Sequence, residues 1–300
     1  MPGSHPRYDL LHRRLVRFTR SLDGVEKGRI ESVHRARVAS RRLREVLPVL
    51  QLEGKVASDL GRRLRKVTKR LGTVRELDAL FVLGDAYQEL VRDDVRPLTR
   101  VISAIGQERS VARDRLLARL PVTPLRRLAS KLEKVADALV DREKGHGRAR
   151  GWRWAIDARV ANRAAVLKRS IDTAGAVFLP ARVHDVRIAI KKLRYSVELE
   201  AEVSADKSWN RDLTILKRIQ DLLGRLHDRQ VLIERVRHVQ ASLTPPDLVV
   251  WRGLGNLVTT IENECRQLHG RYVRDAAALV ALCDRVSGRT SGAPGARRAG

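Results

Sequence analysis

An all-α fold built as two helical bundles is what this 300-residue sequence predicts, and three observations predict it. Apolar residues recur with a period near 3.6 through almost every segment, and no stretch sustains the alternation of a half-buried strand. The segment Val33-His34-Arg35-Ala36-Arg37-Val38-Ala39-Ser40-Arg41-Arg42-Leu43-Arg44 returns 150 residues later as Val183-His184-Asp185-Val186-Arg187-Ile188-Ala189-Ile190-Lys191-Lys192-Leu193-Arg194, with six of the twelve positions identical. A polar, glycine-rich stretch, Lys144-Gly145-His146-Gly147-Arg148-Ala149-Arg150-Gly151, lies at the midpoint and reads as the linker between the copies.

Breaks at glycine and proline place helices at about 7–22, 30–52, 55–71, 74–92, 95–119 and 124–143 in the first half. In the second half they fall at about 152–176, 181–202, 207–224, 226–242 and 246–285. The predicted domains are residues 1–147 and 148–286, each long enough to bury its own core. Residues 287–300, rich in Gly, Pro, Arg and Ser without an apolar pattern, are expected to be a disordered tail.

The duplicated helix is amphipathic in an unusual way. At about 100° per residue, His34, Arg37, Arg41 and Arg44 share an arc of roughly 80°, while Ala36, Ala39, Leu43, Val46, Leu47 and Leu50 gather opposite. His184, Arg187, Lys191 and Arg194 repeat the stripe against Val186, Ala189, Leu193 and Val197. Like charges three and four residues apart cost roughly 0.2–0.5 kcal/mol per pair when solvated, and more as screening falls, so a bound polyanion would complete the electrostatics.

A second repeated element follows each basic helix. Leu60, Leu64, Val67 and Leu71 form a core edge facing away from Arg62, Lys66 and Lys69, and Leu216, Ile219 and Leu223 match Leu64, Val67 and Leu71 at an offset of 152. At the same offset Lys217 and Arg218 match Arg65 and Lys66. Each of these helices is expected to end in Leu-Gly, at Leu71-Gly72 and Leu223-Gly224, where glycine permits a left-handed stop. The acids that follow, Glu76 and Asp228, would then sit in the first turn of the next helix, stabilised by its dipole or orienting a cation or histidine.

Composition bounds the partner. Sixty-one Lys and Arg against 35 Asp and Glu leave a formal charge of +26, far beyond what solubility needs, so nucleic acid, polyphosphate or an anionic membrane surface is implied. Aromatic residues make up only 4%, which argues against the stacking platforms of single-strand binders and favours a phosphate backbone as target. The charged start, with Arg7, Asp9, His12, Arg13 and Arg14, is no signal-peptide core, and apolar stretches such as Ala276 to Cys283 are too short to span a bilayer. A cytosolic protein is expected, with Cys265 and Cys283 as reduced, partly buried thiols and no metal-ligand pattern. Trp152, Trp154, Trp209 and Trp251 are expected to pack in the core or between helices rather than to serve as ligand platforms, and Tyr195 lies close enough to His184 around the helix to offer its hydroxyl to a ligand.

The paired Val-His-x-x-Arg-hydrophobic-Ala-x-cation-cation-Leu-Arg segments, each followed by a helix closing in Leu-Gly, resemble the CHAD family, named for its histidine α-helical domain; the resemblance spans about residues 5–285. It implies two helical bundles related by a pseudo-twofold, a basic central groove or cavity lined by the histidine-bearing helices, and binding of inorganic polyphosphate. Carried onto this chain, it implies a site of His34, Arg37, Arg41, Arg42, Arg44, His184, Arg187, Lys191, Lys192 and Arg194, with Lys217; Lys66 and Lys69 join from the first-half basic face. The family's Arg-Asp-x-Asp appears here as Arg75-Glu76-Leu77-Asp78, and His227 precedes Asp228 where a neutral polar residue is expected.

The reading from sequence is thus a non-enzymatic, cofactor-free polyphosphate binder, cytoplasmic and able to associate with polyphosphate granules, with sequence-independent nucleic-acid binding as the alternative. His184-Asp185 and His227-Asp228 superficially suggest the metal dyads of helical phosphohydrolases. Their first-half counterparts, His34-Arg35 and Arg75-Glu76, do not repeat them, and no catalytic or metal-binding residue is expected. A histidine phosphotransfer bundle would need one accessible histidine rather than two within matched cation ladders.

Overall fold

The computed structural model of the chain describes residues 5–90, 96–119, 122–143, 151–204, 206–243 and 247–291. Regular structure among them is helical throughout: α1 (Pro6–Glu26), α2 (Ile30–Val46), a short 3-10 turn (Leu47–Val49), α3 (Gly54–Leu90), α4 (Arg96–Arg119) and α5 (Val122–Glu143), then α6 (Gly151–Ala174), α7 (Pro180–Ser204), α8 (Trp209–Ala241) and α9 (Leu248–Ser291). The chain divides into two compact units, Met1–Trp152 and Arg153–Gly300.

In the first unit α1 packs against α2 and α5, α2 against α3, and α3 against α4. Leu10, Leu11, Leu15, Phe18 and Leu22 form the buried stripe of α1, and Ala36, Ala39, Leu43 and Val46 that of α2, so the apolar arc read from the sequence is the packed one. Pro48 cannot donate a helical backbone hydrogen bond, and the expected helix 30–52 gives way to the 3-10 turn there. The buried Asp78 of α3 clamps α4: Arg109 donates to Oδ1 at 2.6 Å and Arg113 at 3.2 Å. Asp78 is therefore a structural anchor between α3 and α4.

In the second unit α7 packs on α8 and α8 on α9. Arg163 of α6 reaches α7, donating to the Lys192 carbonyl at 2.6 Å and to Ser196 Oγ at 2.7 Å, while Lys168 pairs with Asp284 of α9 at 2.8 Å. Asp212 of α8, also buried, is gripped by Arg285 and Arg289 of α9.

Several expectations are corrected. Gly72 and Gly224 do not end helices: the predicted pairs 55–71 with 74–92 and 207–224 with 226–242 are single helices, α3 and α8. The buried stripe runs unbroken past each glycine, through Leu64, Leu71, Val74 and Leu77 in α3 and Leu216, Ile219, Leu223 and Leu226 in α8. The helical penalty of one glycine, about 1 kcal/mol, is smaller than what that burial supplies. Glu76 and Asp228 consequently lie inside helices, away from any first turn. Residues 287–291, assigned to the tail, continue α9, whose apolar pattern ends at the buried Val286; residues 292–300 and most of the expected linker lie outside the described residues.

Trp152 and Trp209 are buried, but Trp154 and Trp251 are 73% and 53% exposed, on the outer faces of the first turns of α6 and α9. Cys265 and Cys283 are free and buried, and burial pushes their thiols up to about 11 and about 12, which makes them inert. Among the described residues no helix is long and apolar enough to cross a membrane.

Candidate anion-binding site

The cationic side of α2 meets α3 along a seam. At one end Arg75 donates from Nε to Nδ1 of His34 at 3.1 Å. Next, Arg37 faces Glu76 at 3.5 Å and crosses Gly72, where an added Cβ would lie 3.4 Å from its Nε. The missing side chain lets the guanidinium lie flat against the helix, which is a use for this glycine other than stopping it. Ser40 and Thr68 share a buried hydrogen bond of 3.0 Å farther along. At the far end Arg44 has its pKa lowered, by burial first and then by Arg65 and Arg41, with Glu45 opposing.

His34 accepts at Nδ1, so its neutral form carries the proton on Nε2, a donor left for a ligand. Burial lowers its pKa first, and the charges of Arg75 and Arg37 lower it further. The lowered pKa favours the neutral imidazole, which acts as a hydrogen-bonding group among fixed cations.

The second unit repeats the seam between α7 and α8 with several exchanges, among them Ile190 for Ser40, Gln220 for Thr68 and Lys191 for Arg41. His184 Nδ1 lies 3.4 Å from His227 Nδ1, and the rings stand 4.8 Å apart at 48°. His227 occupies the position of Arg75, 152 residues on. Its pKa falls to about 4, through burial first, then Arg187, His184 and Lys191. Arg187 and Lys191 thus share the field of this histidine pair. Arg194 is fixed by Gln220 of α8 at 2.9 Å and Glu198 of its own helix at 2.6 Å, and lies over the ring of Tyr195. Tyr195 is 6% exposed and lies eleven residues from His184, about 16 Å along the helix axis, so its hydroxyl is not beside that histidine.

The predicted residues divide by location. His34, Arg37 and Arg44, with Arg41 beside Arg44, belong to the first seam, and His184, Arg187, Lys191 and Arg194 to the second. Arg42 and Lys192 turn to the other flank of their helices, lining grooves against α1 and α6. Lys66, Lys69 and Lys217 are all exposed. Helical geometry sets Lys69 about 40° from Arg65 and Lys66 about 100° away, so Lys66 points off the seam. Sequence reasoning missed Arg65, Arg75 and His227 as members. The offset of 152 that pairs Arg65 with Lys217 and Arg75 with His227 was the signal that could have found them.

Fold and seams together define a duplicated, all-helical protein with a histidine set among cations in each unit. The CHAD domain profile matches residues 9–237, and the chain belongs to the CHAD domain family. The crystal structure of the CHAD domain from the plant Ricinus communis is similar at a TM-score of 0.62 and 20% identity, covering 92% of this chain and 90% of that one. PptA from Streptomyces chartreusis is similar at a TM-score of 0.53 and 16% identity, covering 95% of this chain and 97% of that one. No curated protein matches.

Proposed function

We propose that this chain binds inorganic polyphosphate without turning it over, through the His34 seam of the first unit and the His184 seam of the second. The observation that carries the reading is the duplicated seam: a histidine that offers a donor, flanked by guanidinium and ammonium groups on α2 and α7 and completed by α3 and α8. Family membership supports it. Arginine grips phosphate oxygens in pairs and lysine contributes a mobile point charge, so the mixed set suits a flexible, repetitive anion without demanding one register. Affinity then comes from counterion release along the chain of phosphates. On this reading the protein works in the cytoplasm and travels with polyphosphate granules.

Nucleic acid is the competitor, because a chain of charge +26 attracts any phosphodiester at low salt. Competition on one preparation at physiological salt separates them: long-chain polyphosphate is expected to displace both RNA and duplex DNA. Retention of the nucleic acid against excess polyphosphate would reverse the assignment.

A further inference from the structure

On the side of α2 away from α3, a groove of about 490 Å³ opens against α1, lined by Arg17, Arg20, Ser21, His34, Arg35, Val38, Ala39 and Arg42. Its lining holds no carboxylate. Arg17 and Arg20 project from one face of α1, exposed, with no ion-pair or hydrogen-bond partner among the described residues. Arg35 reaches Glu31 only at 3.9 Å, along its own helix. The guanidiniums of Arg17, Arg20, Arg35 and Arg42 share this groove with Val38 and Ala39, and an anion relieves their mutual repulsion.

The duplication supplies an internal control. Between α6 and α7 lies a groove of about 470 Å³ lined by Val166, Arg169, Ser170, Thr173, Arg182, Asp185, Ile188, Ala189 and Lys192. Arg169-Ser170 repeats Arg20-Ser21, Ile188-Ala189 repeats Val38-Ala39, and Lys192 repeats Arg42. The shape is kept, but Asp185 stands where Arg35 does, placing a carboxylate in the lining. The two copies share a scaffold and differ in charge.

We infer that the α1–α2 groove is a second anion-binding track, continuous with the first seam through His34, and that a phosphate polymer leaving the seam runs along Arg17 and Arg20. This rests on the polyphosphate reading and extends it, since His34 lines the groove and also closes the seam with Arg75. The groove makes affinity depend on chain length: a short anion fills the seam alone, and a long one reaches α1.

The test compares long-chain polyphosphate with tripolyphosphate on the full chain by isothermal titration at several salt concentrations. For Arg17→Ala/Arg20→Ala, long-chain affinity is expected to fall about tenfold and the salt slope by roughly 1.4, two contacts at about 0.7 each, with tripolyphosphate binding unchanged. Both residues are exposed, so the thermal midpoint should hold. Arg169→Ala/Arg182→Ala removes the same charge from the second groove and is expected to cost less than threefold. Unchanged long-chain affinity in the first variant, or equal losses in the two, overturns the track and leaves the seams standing. Absence of polyphosphate binding by the wild type overturns both.

Discussion

His34 and His184 occupy the same place in the two copies, yet one leans on a permanent cation and the other on a second histidine. The consequence is a difference in pH response between the units. His227, held at about 4 by burial and the surrounding cations, is neutral in the empty protein at pH 7. A bound polyanion favours its protonated form, so its pKa is higher in the complex. Affinity therefore rises as pH falls through the bound-state pKa and levels off near about 4, where the free site is protonated too. His34 adds to this in the same direction. Polyphosphate binding titrated from about pH 8 to 5 should strengthen several-fold in the wild type. His227→Arg, which places the first seam's Arg75 at the matching position, should bind more tightly at pH 8 and show a flatter profile. A profile identical to wild type would remove His227 from the site.

At the scale of helices, most of the architecture was legible. The buried stripes of α2 and α7 are the apolar arcs that a period of 3.6 marks out, because burial and periodicity are the same geometric fact. The joins at Gly72 and Gly224 were not legible, because glycine stops one helix and lets a neighbour approach another, and only tertiary packing decides which. Arg65 and Arg75 were missed for a related reason. A sequence pattern fixes which side of a helix faces the core, but not which neighbour flanks its cationic rim. The continuous α8 has a measurable consequence. Nothing lies within 4 Å of a Cβ added at Gly224, so Gly224→Ala should raise stability by about 0.5–1 kcal/mol in chemical denaturation. A loss of stability would mean that the helix is interrupted there.

For the molecule as a whole, the excess charge was plain in the sequence, and it sets two contributions apart. A net +26 creates a field that draws in any polyanion, and local contacts convert attraction into a defined site. The candidate site was legible as two stripes because duplication preserved both, whereas their completion by α3 and α8 came from packing. Bulk charge predicts a small, uniform loss wherever two cations are removed. The seams predict a large loss at two particular positions, since Arg37 borders His34 and Arg187 sits in the field of His227.

The most direct test is the salt dependence of polyphosphate affinity for the wild type and Arg37→Ala/Arg187→Ala. Removing one phosphate contact in each unit should lower affinity about tenfold or more and reduce the log–log salt slope by roughly 1.4, with far-UV circular dichroism unchanged. A slope equal to wild type would show that these arginines do not touch phosphate and would contradict the account.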